Sequence, residues 1–162
     1  MQNSVDFRVG LGYDSHRLAD NLPLRLAGVP IPFDKGCVAH SDGDVVIHAL
    51  CDALLGAAAL QDIGTHFPDN DPAFKNIDST ILLEKTVMLI HQHRWVVNNV
   101  DITIILEKPK LSPYKVAMQD LLATILQISP DVVSIKAKTN EQMGFVGSGE
   151  GVAVIASVTI KK

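Results

Sequence analysis

Two short segments near the N-terminus carry residue types that can do metal chemistry: Gly12-Tyr13-Asp14-Ser15-His16 and Ala39-His40-Ser41-Asp42-Gly43-Asp44-Val45-Val46-Ile47-His48. Residues two apart on an extended backbone point to the same side, so Asp14 and His16 can face one ion. His48 falls one turn after Asp44, in what reads as the start of a helix. A strand end giving a carboxylate and an imidazole, and a helix giving a second imidazole, makes a three-ligand site with a fourth position open. An open position suits a catalytic Zn²⁺ rather than a structural one. Asp-x-His alone is common by chance, and a histidine on an apolar helix is usually a hydrogen-bonded core residue. The polar residues around it argue for more. Ser41 or Asp42 can cap the helix. Asp44, His48 and Asp52 then form a stripe at i, i+4 and i+8, which would aim a ligand and two supporting acids at the sheet.

These residues need a scaffold that brings a strand end against a helix start. Val5 to Tyr13 reads as a strand, and Leu24 to Pro32 as a short hairpin kept at an edge by its prolines. Asp44 to Leu60 is an Ala- and Leu-rich helix. Gln61 to Pro72 mixes Gly, Pro and acids with two apolar anchors, Ile63 and Phe67, which suits an ordered binding loop. Ser79 to His93 is a second helix, capped by Ser79 or Asp78. A strand centred on Val100–Leu106 follows, then a third helix opened by Ser112-Pro113, a strand from Val132 to Lys138, a Gly-rich connection and a last strand from Val152 to Ile160. The expected fold is α+β, with a mixed β-sheet, helices on one face and a short edge hairpin, in one domain spanning 1–162. Val100–Leu106 and Val152–Ile160 are apolar at nearly every position. The sheet face away from the helices is therefore expected to be apolar and covered by self-association.

At 162 residues the chain is long enough to bury a sizeable core. A formal charge of -4 disfavours general nucleic-acid binding, so a phosphorylated ligand must be neutralised locally. Cys37 and Cys51 do not form a C-x-x-C pair, which suits a reducing compartment. Met1 to Gly10 lacks a basic segment followed by an apolar run, and no apolar stretch reaches membrane-spanning length. A cytoplasmic protein without a membrane or nucleic-acid partner is expected.

Gly-Tyr-Asp-Ser-His, His-Ser-Asp-Gly-Asp, Asp-Ala-Leu-Leu-Gly-Ala-Ala-Ala-Leu, Asp-Ile-Gly-Thr-His-Phe-Pro-Asp and Lys-Thr-Asn-Glu-Gln-Met-Gly-Phe follow one another from about Arg8 to the C-terminus. Together they resemble the 2-C-methyl-D-erythritol 2,4-cyclodiphosphate synthase family. The resemblance implies a homotrimer packed through its sheets, with sites between subunits. It also implies conversion of 4-diphosphocytidyl-2-C-methyl-D-erythritol 2-phosphate into the cyclic 2,4-diphosphate and CMP, in the non-mevalonate route to isoprenoid precursors.

Further expectations carry over by position. Asp14, His16 and His48 would hold Zn²⁺, one per subunit, and Glu141 a second ion, Mg²⁺ or Mn²⁺. His40 and Thr139 would be catalytic, stabilising the transition state, and Ser15, His40 and Ser41 would lie against substrate phosphate. Asp62, Ile63, Gly64, Phe67 and Asp69 would bind the erythritol arm. Leu106, Lys110 and Leu111 would belong to the cytidine pocket, with backbone groups reading the base. Lys138, Thr139, Asn140 and Glu141 would face the diphosphate, and Phe145 would wall the pocket. Lys138 and Asn140 replace the usual Thr. Ser148 stands where a basic residue is usual, near the trimer axis beside Glu150, so an axial anion site would lack its cation. Two other readings use the same residues: a Zn-dependent phosphoesterase that releases inorganic phosphate, and a non-enzymatic trimeric binding protein.

Overall fold

The computed structural model describes residues 6–162. Strand β1 (Phe7–Asp20) leads to β2 (Leu24–Leu26), β3 (Val29–Ile31) and β4 (Lys35–Cys37). Helix α1 (Val45–Ala57), the four-residue α2 (Ile63–His66) and α3 (Ser79–Gln92) follow. Then come β5 (Val96–Ile105), α4 (Lys115–Leu126), β6 (Val133–Lys138), the short α5 (Gly144–Gly147) and β7 (Gly151–Lys161). The main sheet has the order β4-β1-β7-β5-β6. Only β5 and β6 run parallel, so the sheet is mixed and the fold is α+β.

Several boundaries differ from the expectation. The first strand runs on to Asp20, and Val5 lies outside the described residues. The β2–β3 hairpin is not an edge of the main sheet: it pairs only with itself, and β4 takes the edge beside β1. Ser112-Pro113 opens a single 3₁₀ turn at 112–114, with no side-chain cap, before α4 begins. The helix after the hairpin is capped by neither Ser41 nor Asp42. Asp44 caps it, accepting the Ile47 N–H at 3.2 Å.

Alternation along β1 decides which residues meet the helix layer. Gly10, Gly12 and Leu18 are buried, and Asp14 and His16 share their row, partly buried. Phe7, Val9, Leu11 and Tyr13 point the other way. α1 lies so close over the inner row that no side chain fits there. A Cβ on Gly10 would come 1.9 Å from the Ala53 carbonyl oxygen, and one on Gly12 would come 1.9 Å from that of Ala49. The Gly-x-Gly-x-Asp-x-His row against the small residues of α1 thus places His48 beside Asp14 and His16.

The outer sheet face is less apolar than expected. Val100, Ile102, Ile104, Val152, Val154, Ala156, Val158 and Ile160 all point inward and are buried beneath the helices. Their outward neighbours include Asn99, Asp101, Thr103, Ser157 and Thr159. The exposed apolar strip comes from β1 instead: Phe7, Val9, Leu11 and Tyr13 are 59, 71, 70 and 55 % exposed, with Ile155 beside them at 39 %. The high apolar content of β5 and β7 reports the core positions but not the outer face.

Candidate active site

His16 reaches the site through Nε2 because its Nδ1 lies 2.9 Å from the Ser15 carbonyl oxygen, which fixes Nδ1 as the protonated nitrogen. His16 Nε2 lies 3.1 Å from His48 Nδ1, and Asp14 Oδ2 lies 3.2 Å from that same His48 nitrogen. Asp14 Oδ1 accepts the Ser15 N–H at 2.8 Å, leaving Oδ2 for the cluster. Ligand atoms bound to Zn²⁺ at ~2.0–2.1 Å in tetrahedral geometry stand ~3.3–3.4 Å apart. The donor set and the two separations to His48 are compatible with that ion, and one atom from each residue lies within 4.8 Å of the other two. All three side chains are largely sheltered, at 25 % exposure for Asp14, 14 % for His16 and 13 % for His48.

Asp14, His16 and His48 line a cavity of about 450 Å³. His40, Ser41, Ile63, Gly64, Phe67 and Asp69 also line it. Asp62 stands just beyond, exposed, and caps α2. Its Oδ1 accepts the Thr65 N–H at 2.9 Å and the Thr65 hydroxyl at 2.8 Å, and these bonds hold its carboxyl below the usual range. The loop from 61 to 72 is thus ordered by a capped turn, and Phe67 rests edge-on against Phe74, ring centres 5.6 Å apart.

The acids on α1 do not support the histidine as expected. Asp44 is fully buried and accepts the N–H groups of Ala27, Gly28 and Ile47. Burial pushes its carboxyl up to about 6, against the pull of those three bonds. Asp52 accepts the Ile63 N–H at 2.7 Å and fixes α2 to α1; burial raises its pKa also. The partners of His48 Nε2 are hydroxyls: Ser41 Oγ and Ser79 Oγ, each at 3.0 Å. The sequence offers Ser79 or Asp78 as the cap of α3 and gives no sign that Ser79 meets the imidazole. Asp78 caps α3, accepting the Thr80 N–H at 2.9 Å, which frees the Ser79 side chain to turn inward.

Thr139, Glu141 and the residues around them form a second group. Thr139 donates its hydroxyl proton to Glu141 Oε1 at 2.6 Å. Glu107 Oε1 accepts the N–H groups of Asn140 and Gln142, on either side of Glu141, which has φ +52°. Glu107 is a functional candidate that the sequence did not single out. Lys110, Lys138, Thr139 and Glu141 are exposed, whereas the Leu106 and Leu111 side chains are buried and offer only backbone to a ligand. Phe145 is half-exposed against Gly151, and Ser148 is exposed, its hydroxyl on the Phe145 carbonyl.

None of this second group lines the cavity at Asp14, His16 and His48. The sheet register explains the separation. Ser15 pairs with Ala153, Ala153 with Ile105, and Ile105 with Lys138, so the two groups occupy the same end of the sheet. Three strand spacings, ~14 Å, keep Thr139 and Glu141 apart from Asp14 and His16 within one chain, whereas Phe145 lies beside His16 and lines a separate hollow with Ser15.

Residues 7–161 match the model of the YgbB family. The chain belongs to that family. It is 52 % identical over 157 residues to a 2-C-methyl-D-erythritol 2,4-cyclodiphosphate synthase of Gemmatimonas aurantiaca, covering 97 % of this chain and 95 % of the relative. A solved structure of such a synthase in a CDP-bound form superposes with a TM-score of 0.87 at 37 % identity, covering 93 % of this chain and 98 % of that one. The bifunctional IspDF of Campylobacter jejuni superposes with a TM-score of 0.89 at 42 % identity. That match covers 98 % of this chain, which spans only 43 % of the longer protein.

Proposed function

We infer that this chain converts 4-diphosphocytidyl-2-C-methyl-D-erythritol 2-phosphate into 2-C-methyl-D-erythritol 2,4-cyclodiphosphate and CMP, as a cyclising phosphorus-oxygen lyase of isoprenoid precursor synthesis. The observation that carries the reading is the meeting of Asp14, His16 and His48 at one end of a cavity, in a chain of this family. An oxygen of the substrate's own 2-phosphate forms a bond to the β-phosphorus. The bond from that phosphorus to the bridging oxygen breaks, and its electron pair leaves with CMP. No water enters and no protein nucleophile is needed, because the attacking oxygen is already ionised. The residues must hold attacker and leaving group in line and offset the charge.

Asp14, His16 and His48 would hold Zn²⁺. Glu141 would hold Mg²⁺ or Mn²⁺; a single exposed carboxylate suits an ion that keeps much of its water and binds phosphate oxygens. When bound, the two ions neutralise charge on the diphosphate and make the β-phosphorus a better electrophile. Ser41 and His40 hold the 2-phosphate at the mouth of the cavity. Asp62 and the backbone of Ile63 and Gly64 take the erythritol hydroxyls, with Phe67 behind them. Thr139 fixes the Glu141 carboxylate through its hydroxyl and faces the diphosphate with Lys138 and Asn140. The backbone of Leu106 to Leu111 reads the cytosine, with Lys110 near the phosphates and Phe145 as a wall.

A complete site then takes the ligand cavity from one chain and the Thr139–Glu141 group from the next. The ~14 Å that separates them across one sheet supports this arrangement. The exposed β1 strip of Phe7, Val9, Leu11 and Tyr13 gives the trimer an apolar contact. Incubation of the purified protein with the cytidyl substrate and Mg²⁺ should yield CMP and the cyclic diphosphate in equal amounts. Release of inorganic phosphate instead would favour the phosphoesterase reading. Light scattering on active protein should give the mass of three chains, and an active monomer would overturn the shared site.

A further inference from the structure

The His48 imidazole is held at both nitrogens. Nδ1 faces Asp14 Oδ2 and His16 Nε2, while Nε2 lies 3.0 Å from Ser79 Oγ. Ser79 is fully buried, and its hydroxyl proton is committed: it goes to Asp42 Oδ1. The other Asp42 oxygen accepts the Ser79 N–H at 3.0 Å, so the carboxylate grips this serine twice. With its proton given away, Ser79 Oγ can only accept from Nε2–H. The order is therefore fixed: His48 Nε2–H to Ser79 Oγ–H to the Asp42 carboxylate. Two backbone bonds brace the same place. Asp42 N–H donates to the Ile77 carbonyl at 3.1 Å, and Asn76 N–H donates to the His40 carbonyl at 2.9 Å.

We propose that Ser79 and Asp42 are positioning residues that fix His48 as a metal ligand through Nδ1. The proposal rests on the reading that Asp14, His16 and His48 hold Zn²⁺. A carboxylate at the far end of the hydroxyl bridge favours the Nε2–H tautomer, orients the ring and makes Nδ1 a stronger donor. The bridge spans three parts of the chain: the loop that carries His40 and Ser41, the start of α3, and the histidine on α1. Ser41 completes the arrangement. Its Oγ accepts from Gly43 N–H at 3.2 Å and lies within reach of Nε2, which leaves its own proton for an anion in the cavity.

The test is zinc affinity, measured on purified protein by competition with a chromogenic chelator, together with the visible spectrum after Co²⁺ replacement. Ser79→Ala should weaken zinc binding by about 10–100-fold and change the Co²⁺ spectrum while the protein remains folded. Ser79→Thr, which keeps the hydroxyl, should bind zinc close to the natural level. Asp42→Asn, which keeps an acceptor but loses the charge, should fall between. His48→Ala, run alongside, should lose zinc altogether. Wild-type affinity and spectrum in Ser79→Ala and Asp42→Asn, with zinc lost from His48→Ala, would overturn the bridge and leave the metal site standing. Full zinc binding by His48→Ala would overturn the metal site and the bridge with it. Equal loss in the Ala and Thr variants would assign the effect to packing at position 79 and overturn the hydroxyl's role.

Discussion

Asp44 Oδ2 accepts the Gly28 N–H at 2.6 Å, and that bond fastens the start of α1 to the β2–β3 turn. Ala27 and Gly28 both have positive φ, +53° and +78°, the pattern of a tight hairpin turn that a non-glycine residue adopts only at some cost. The Asp44 carboxylate offsets that cost by taking both of their N–H groups while also capping the helix. Asp44→Ala leaves these donors buried without partners. It should destabilise the protein on the order of 3 kcal/mol, read as a lower urea midpoint.

The same carboxyl gives a pH dependence. Its folded pKa is pushed up to about 6 by burial, above the ordinary value of 3.8. The folded state then binds the proton more tightly than the unfolded state does. The corresponding stability is fully present below about pH 4 and is lost as pH rises through about 6. Urea midpoints measured from pH 4 to 7 should show this falling component in the natural protein, and Asp44→Ala should lack it. An identical slope in both proteins would assign the dependence to another group.

How much of this was readable beforehand depended on the range of the interaction. Asp14 and His16 were legible because alternation on a strand is local, and His48 because helix spacing is local. Asp44 looked like support for the histidine, since it lies on the same helical stripe. Its true partners, Ala27 and Gly28, sit 17 and 16 residues away, and no periodicity reports a contact with a turn. Ser79 and Asp78 both suit a cap at the helix start, and Asp78 takes that place; only the packing of α3 against the 40–42 loop turns Ser79 toward the imidazole. The outer sheet face is apolar along β1 and more polar along β5 and β7, a difference that alternate positions report and overall apolarity does not.

Glu141 and Thr139 test the second-ion assignment without touching the first. Glu141→Gln should keep zinc at the natural level but lose at least 10-fold in turnover at low Mg²⁺, with partial recovery at high Mg²⁺ or Mn²⁺. Thr139→Val removes the 2.6 Å bond that holds the carboxylate. It should raise the Mg²⁺ concentration needed for half-maximal rate in addition to slowing turnover. Unchanged Mg²⁺ dependence in both variants would place the second ion elsewhere.

Gly12 should govern zinc binding although it holds no metal. A Cβ there would stand 1.9 Å from the Ala49 carbonyl oxygen, 2.8 Å from Ala53 N and 2.9 Å from Ala49 C, all backbone atoms of α1. None can move aside as a flexible side chain can, so Gly12→Ala must push the helix off the strand. Ala49 follows His48 directly, and Asp14 and His16 follow Gly12 in the same inward row. Their 3.1–3.2 Å spacing to His48 depends on this approach. Gly12→Ala should therefore lose several kcal/mol of stability, on the order of an overpacked core, and bind zinc more weakly than the natural protein even where it remains folded. Gly56→Ala on the same helix supplies the contrast. Its added Cβ meets nothing within 4 Å, so removing a glycine from the helix should stabilise by about 0.5–1 kcal/mol and leave zinc affinity unchanged. Metal analysis and urea unfolding on the two variants separate helix propensity from helix position. Full zinc affinity in folded Gly12→Ala would show that the ligands keep their geometry without the close strand–helix contact.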